Sequence, residues 1–121
     1  MERVFVMMGS VLAFIAVAAG AFGAHMLRGR LSPDMLNTFE VAARYHMYHA
    51  LGILLVAWAS TRWPGSAVAG WLFLVGIVIF SGSLYALSLT GQRWLGAITP
   101  LGGLAFLLGW LVLAWNAWKA A

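Results

Sequence analysis

Long apolar segments alternate with short polar ones along this chain. Four of them lack Asp, Glu, Lys and Arg altogether: Val4 to Leu27, Tyr45 to Thr61, Trp63 to Gln92 and Trp94 to Trp118. A helix of about 20 apolar residues crosses the roughly 30 Å hydrocarbon core of a bilayer. We therefore predict an all-α integral membrane four-helix bundle with both termini on the same side. The predicted crossings are about 4–24, 44–60, 67–89 and 100–118, in a single domain that spans residues 1–121.

Two pairs of a hydroxylic residue and proline indicate where helices begin. Ser32-Pro33 and Thr99-Pro100 each combine a side chain that caps a helix with a proline at the first helical position. We predict a helix that starts at Pro33 and continues into the second crossing, with its short first part, 33–43, at or above the membrane interface. A separate surface helix with a kink near Ala43 is the alternative.

Small residues recur every three or four positions along the first segment. They are Gly9, Ala13, Ala16, Gly20 and Ala24. Such a stripe lets a second helix approach closely, so we expect this face to pack against a neighbour. The alternative is a signal peptide with a small-residue cleavage site at Ala19-Gly20-Ala21, but we expect the segment to remain as a helix.

Polar side chains gather at one end of the apolar segments. When successive crossings alternate in direction, the end of the first and third segments meets the start of the second and fourth. The residues concerned are His25, Glu40, Arg44, His46, His49, Ser81, Ser83, Tyr85, Ser88, Arg93 and Thr99. This pattern predicts a one-sided polar cluster, which either binds a ligand or holds the bundle together.

The composition limits the solvent in which this chain folds. It is 64% hydrophobic and 8% charged, whereas a soluble domain carries about 25% charged residues. We expect a multi-pass protein of the cell membrane (the inner membrane in a bacterium), with lipids and either a second copy or a partner membrane protein as its contacts. The net charge is +4, but the basic residues lie at segment ends, where they meet lipid phosphates. We expect no nucleic-acid binding, since no basic stripe interleaved with aromatics is present.

The histidines leave several kinds of site open. His46 and His49 are three residues apart and share a helix face, and His25 could approach from the first helix. Three imidazoles could hold zinc, copper or a haem iron, or they could relay protons. Hydrogen bonding and packing within the bundle is the simpler interpretation. We therefore expect neither a metal nor a cofactor.

The ionisable groups nearest the cluster allow two interpretations. Glu40 and Arg44 are four residues apart, with the acid first, which is the favourable order for an ion pair on a helix. Alternatively, Arg44 and Arg93 could bind an anionic headgroup or ligand. Either role would lie near the headgroups, where arginine reaches water easily.

No set of residues predicts an enzyme. The chain has no Gly-x-Ser-x-Gly turn, no His-Glu-x-x-His helix and no cysteine nucleophile. It contains three acidic residues in all, so paired buried carboxylates are not expected either. We expect a protein without catalytic activity.

Four segments together carry a family resemblance. They are Gly20 to His25, Phe39 to Leu51, Phe80 to Gly91 and Leu95 to Gly103. The chain resembles the YgdD/YwdK-like family of small membrane proteins (domain of unknown function 423), which is related to transmembrane protein 256. The resemblance implies a multi-pass cell-membrane protein and no established reaction, substrate or cofactor. In that family glutamine often stands where this chain has His46, which favours His25 and His49 over His46 as shared features.

The function expected from these observations is non-enzymatic. A binding or assembly subunit would use the polar cluster for a lipid headgroup, a small ligand or a partner protein. The alternative is a small oligomeric membrane transporter or channel. A carrier would need the polar stripe to continue towards the opposite face, and that half is nearly all aliphatic residues, phenylalanine and glycine.

Overall fold

The computed structural model describes residues 1–120, which form four long helices joined by short turns. We label them α1 (Glu2–Leu27), α2 (Pro33–Arg62), α3 (Pro64–Thr90) and α4 (Arg93–Lys119). Helix α3 begins with a short 3-10 turn, Pro64–Ser66, and α4 with another, Arg93–Ala97. The predicted all-α four-helix architecture is confirmed.

Three of the helices are long and apolar enough to cross a membrane. Helices α1, α3 and α4 contain 26, 27 and 27 residues, and each includes an apolar stretch long enough to span the hydrocarbon core. Helix α2, with 30 residues, is about 45 Å long, but its hydropathy is lower because it carries His46, His49 and several charges. The crossing boundaries themselves remain a prediction.

Helix α2 lies inside the bundle and contacts the other three helices. This position lets it carry polar groups, because its neighbours shield them from lipid. Helix α1 packs along α2, while α4 packs mainly along α3. At the chain ends, Phe5 packs on Trp71 and Asn116 contacts Gly65, so both terminal segments lie beside the turn between α2 and α3. That both termini lie on the same side of a membrane remains a prediction.

The core is built from phenylalanine rings set against glycines. Phe73 is fully buried in α3 and lies between Gly52 of α2 and Gly109 of α4. Phe5 fills the notch at Gly70, and Phe106 fills the notch at Gly76 in the same way. Because glycine has no Cβ atom, the helix axes can approach closely at these positions. Close packing matters here because the hydrophobic effect does not drive helices together within lipid.

The predicted small-residue face of α1 packs against α2. Ala16 and Ala24 are buried, and a Cβ at Gly9 would lie 2.8 Å from the Leu54 side chain. Further along, the position of a Cβ at Gly20 is 3.7 Å from the Cβ of Ala43. The expected close approach of a second helix is confirmed.

The two predicted helix starts have different outcomes. Ser32 Oγ accepts a hydrogen bond from the Met35 amide at 3.2 Å, and Pro33 occupies the first helical position. Helix α2 then runs without a break to Arg62, so the structure has no separate surface helix. The α-helical part of α4 begins at Thr99, with Pro100 in its first turn, but the predicted cap is wrong: Ile98 is the N-cap residue, and the Thr99 hydroxyl bonds Ser83 of α3 instead.

Two π-helical segments interrupt the α-helices at a similar level. They are Ala18–Gly23 in α1 and Ile77–Ser81 in α3. Both face the same part of α2, since Gly23 lies against Phe39 and Ser81 bonds the Ala42 carbonyl. Segments of this kind are rare in helices and are frequent at functional sites.

The glycine notches predict a large difference between two Gly→Ala variants. A Cβ at Gly109 would overlap the Phe73 ring, which Gly52 confines from the other side, whereas a Cβ at Gly82 would meet open space. We expect Gly109→Ala to destabilise the protein by about 1–3 kcal/mol through overpacking. Gly82→Ala should be neutral or stabilising by up to about 1 kcal/mol.

Thermal unfolding of both variants in the same detergent measures this difference. Equal midpoints for the two variants would contradict the packing described for Phe73.

Candidate functional site

The predicted polar residues separate into a buried group and an exposed group. The buried or half-buried group lies between the helices: His46, His49, Ser81, Ser83, Tyr85, Ser88 and Thr99. Of the others, His25, Arg44 and Arg93 are exposed, and Glu40 is half-buried. The structure therefore divides the set that the sequence pattern predicted as one cluster.

Two hydrogen bonds join α2 to α3. Ser81, fully buried in the π segment, donates from Oγ to the Ala42 carbonyl at 2.8 Å. Tyr85 Oη lies 2.9 Å from His46 Nδ1, and its ring also packs on Phe39. Because lipid offers these groups no partner, each bond favours the packed state over separated helices.

The hydroxyl groups of α3 and α4 satisfy one another. Ser83 Oγ lies 2.6 Å from Thr99 Oγ1, and Ser83 also donates to the Phe80 carbonyl at 3.0 Å. Ser88 donates to the Tyr85 carbonyl within its own helix at 2.9 Å. The bond between Ser83 and Thr99 therefore joins α3 to α4, whereas Ser88 finds its hydrogen-bond partner within α3.

His49 lies among aromatic rings with both ring nitrogens engaged. Its Nδ1 is 2.8 Å from the Tyr45 carbonyl, so Nδ1 carries the proton and donates it. Its Nε2 then accepts from Trp110 Nε1 at 3.0 Å. The imidazole stacks on Phe106 with 3.5 Å between ring centroids and 6° between planes. A ring held in this way has no free lone pair for a metal.

His46 is the exception among the buried histidines. It is 3% exposed, and its Nε2 has no hydrogen-bond partner among the described residues. The backbone of Leu12 in α1 faces this ring, but no hydrogen bond joins it to Nε2. Within residues 1–120, no three His, Cys, Asp or Glu side chains converge as a metal site would require. His25 lies apart, exposed near the end of α1.

A cavity of about 730 Å³ opens beside His49, between α2 and α4. We call it the α2–α4 groove. It is lined by Tyr45, Tyr48, His49, Phe80, Pro100, Gly103, Leu104, Phe106, Leu107 and Trp110. Leu104 and Leu107 are 53% and 63% exposed, so the groove opens on the outer surface of the bundle, where α4 would face lipid.

Trp110 is a residue of this groove that sequence reasoning missed. Its residue type alone predicts a place in an interfacial aromatic belt. In the structure it lies nine residues before the end of α4 and bonds His49. The signal that could have identified it is its position in the middle of the last apolar segment, four residues after Phe106.

A second cavity lies between α1 and α2 on the other side of α2. We call this cavity, of about 490 Å³, the α1–α2 groove. It is lined by Ala16, Val17, Gly20, Ala21, Glu40, Ala43, Arg44 and Met47. Glu40 and Arg44 share the groove, but no ion pair within 4.0 Å joins them in the part of the chain that is described. Arg93 does not line this groove. Arg44 and Arg93 therefore share no cavity here in which they could bind one anionic group together, as the sequence analysis allowed.

Buried polar side chains also occur near the chain termini. Asn116 is 6% exposed and donates from Nδ2 to the Val112 carbonyl at 2.8 Å. Ser66 is fully buried at the start of α3. The polar groups are therefore less one-sided than the sequence pattern predicted, because Ser66 and Asn116 both pack inward at the end opposite the predicted cluster.

The bond between Trp110 and His49 predicts a measurable contribution to stability. Trp110→Phe keeps a ring in the groove but leaves His49 Nε2 without its donor, so we expect a loss of about 0.5–1.5 kcal/mol. Trp115→Phe is the control, because Trp115 is 60% exposed on the same helix.

Reversible unfolding in mixed detergent micelles compares the two variants. An equal effect of both substitutions would mean that the hydrogen bond contributes nothing.

Known proteins similar to this chain are themselves described as membrane proteins. The profile of the family described as "Protein of unknown function (DUF423)" matches residues 19–103. The UPF0382 membrane protein YwdK of Bacillus subtilis is 47% identical over 120 residues, covering 97% of this chain and 98% of the relative. The UPF0382 membrane protein SERP0230 of Staphylococcus epidermidis is 52% identical over 112 residues, covering 92% of each. No solved structure matches the chain.

Proposed function

Since this chain belongs to the DUF423 family of multi-pass membrane proteins, we propose that it is a non-enzymatic binding subunit of the cell membrane. Its ligand is a lipid-soluble molecule with a flat ring that carries hydrogen-bond acceptors, of the quinone class. The site is the α2–α4 groove. The observation that carries the proposal is the set of aromatic rings that His49 organises at the floor of that groove.

The size and position of the groove suit a ligand that arrives from the bilayer. Its volume of about 730 Å³ lies within the usual range for small-molecule sites, roughly 300–1,000 Å³. Exposed Leu104 and Leu107 form the outer rim, so a ring with an apolar tail could enter sideways and leave its tail among the acyl chains. A water-soluble ligand would have to cross this apolar rim.

The walls of the groove suit a flat ring. Phe106 is fixed by its stacking on His49, and Trp110 is oriented by its hydrogen bond to His49. Walls that are ordered before binding lose little side-chain entropy when the ligand enters. Offset stacking on such rings contributes about 0.5–1.5 kcal/mol per pair beyond the area that is buried.

Two tyrosines supply the polar contacts. Tyr45 and Tyr48 are 38% and 50% exposed and line the groove. A phenol O–H donates to a carbonyl oxygen, and in lipid such a donor has few competing acceptors. These hydroxyl groups would therefore distinguish a ring with carbonyl oxygens from a plain hydrocarbon.

The arrangement of buried polar groups favours binding over transport. The bonds from Ser81 to Ala42, from Ser83 to Thr99 and from Trp110 to His49 each link two helices. Groups that are satisfied in this way stabilise the bundle and leave few sites for water or ions along a path. An oligomeric transporter or channel is the alternative function.

Filling the groove should abolish binding. Leu104→Phe adds a ring to the rim, whereas Leu111→Phe adds the same ring at a position outside the groove; both leucines are exposed on α4. We expect Leu104→Phe to weaken binding of a short-chain benzoquinone by at least about tenfold, or about 1.4 kcal/mol, and Leu111→Phe to leave it unchanged.

Radiolabelled benzoquinone bound to protein in lipid nanodiscs measures this effect, with empty nanodiscs correcting for partition into lipid. Tyr48→Phe tests the polar contact separately, and we expect it to weaken binding by a smaller factor. Equal binding by the wild type and both leucine variants would refute the groove as the site. If the protein carries a solute across the membrane of proteoliposomes, and Leu104→Phe leaves that flux unchanged, the result would favour the transport alternative.

A further inference from the structure

The α1–α2 groove contains one acidic and one basic side chain that do not bond each other. Glu40 and Arg44 both line it, and no ion pair within 4.0 Å joins them in residues 1–120. Four residues apart on one helix face, they have Cβ atoms about 5–6 Å apart. Unpaired charges near hydrocarbon are costly and usually mark a functional site.

The predicted second crossing, 44–60, places this groove at the boundary between headgroups and acyl chains. Glu40 and Arg44 lie seven and eleven residues after the start of α2 at Pro33, or about 10–16 Å along the helix axis. Since α2 is about 45 Å long and the hydrocarbon core about 30 Å thick, this part of the helix reaches the interface. A lipid headgroup and this pair would therefore meet at the same level.

The wall of the groove that α1 contributes consists mainly of small residues. Gly20 and Ala21 belong to the π segment Ala18–Gly23 of α1, and they face the pair across the cavity of about 490 Å³. Val17 and Met47 complete the lining and offer apolar surface to the first methylene groups of an acyl chain. Small side chains and a π segment therefore leave a cavity beside two charged side chains.

We propose that the α1–α2 groove binds the phosphoethanolamine headgroup of a membrane phospholipid. The Arg44 guanidinium would donate to the phosphate, and the Glu40 carboxylate would accept from the primary ammonium, which a two-carbon linker holds close to the phosphate. This proposal does not depend on the α2–α4 groove, because the two cavities share no lining residue.

The chemistry of the pair predicts a specific order of lipid preference. Phosphatidylglycerol carries the phosphate but no ammonium, so it would satisfy Arg44 and leave Glu40 unpaired. Phosphatidylcholine carries a quaternary ammonium, which cannot donate a hydrogen bond to a carboxylate. Of these three lipids, only phosphatidylethanolamine offers both a phosphate that accepts hydrogen bonds and an ammonium that donates them to the carboxylate, and charge-assisted hydrogen bonds are stronger than neutral ones.

Native mass spectrometry of the intact protein with defined lipid mixtures tests the proposal. With equimolar phosphatidylethanolamine and phosphatidylcholine, we expect the wild type to retain the former about tenfold more often. Glu40→Gln should remove that preference. Arg44→Gln should lower the retention of both lipids, whereas Arg44→Lys should preserve part of that retention. Asp34→Asn is the control, because Asp34 is an exposed acid on the same helix outside the groove.

A second pair of variants separates the cavity from the charges. Ala21→Leu fills the α1–α2 groove with an apolar side chain and should lower phosphatidylethanolamine retention as Glu40→Gln does. Ala114→Leu adds the same group at an exposed position of α4 and should not. Melting temperature in detergent shows whether each variant is folded.

Soluble phosphoethanolamine distinguishes a lipid site from a site for the free compound. We expect it to compete weakly at best, because it lacks the acyl chains that Val17 and Met47 would contact. Displacement of the lipid by an equal concentration of soluble phosphoethanolamine would assign the site to the free compound and overturn the lipid proposal. Equal retention of the two lipids by the wild type, or equal behaviour of Glu40→Gln and Asp34→Asn, would overturn it as well.

Discussion

Hydrocarbon offers no hydrogen-bond partner, so a polar side chain that enters it is stabilised by a partner on the protein. Helix α2 depends on this constraint more than any other element. It carries His46 and His49 into the bundle, where Tyr85 of α3 and Trp110 of α4 bond them. Helix α2 therefore depends on the other helices, because without them the rings of His46 and His49 would face lipid and lack these hydrogen-bond partners. The bundle is therefore held by a few polar contacts between helices whose remaining surfaces are close-packed glycine and phenylalanine.

Features that depend on neighbouring residues could be predicted from the sequence. The Ser32-Pro33 helix start is an example, because the cap and its amide donor are three residues apart. The small-residue face of α1 is another, since α-helical periodicity places Gly9 and Ala16 on one side. Thr99 shows where such local reasoning fails. A threonine before a proline resembles a cap, but Ser83 on another helix offers its hydroxyl a closer partner.

The candidate site required information that periodicity does not contain. Periodicity shows which residues share a face of a helix, but it does not show which neighbour that face meets. Arg44 and His46 are only two residues apart, yet Arg44 faces α1 across one groove while His46 bonds Tyr85 of α3. Residue type also misled the assignment of Trp110, whose indole is common in interfacial belts but here bonds a histidine deep in the bundle. The α2–α4 groove exists because bulky rings separate two helices, which no single segment reveals.

The π segment in α1 has a consequence for how members of this family should be aligned. A turn of π-helix holds about one residue more than a turn of α-helix, since its bonds span five residues instead of four. Side chains after Gly23 are therefore rotated about the axis by roughly 100° from where an uninterrupted α-helix of the same sequence would place them. A homologue with one residue fewer between these positions would have a regular α-helix there and would still present the same faces on both sides. Gaps of a single residue inside a membrane helix can thus preserve the fold, and an alignment that forbids them would pair the wrong faces.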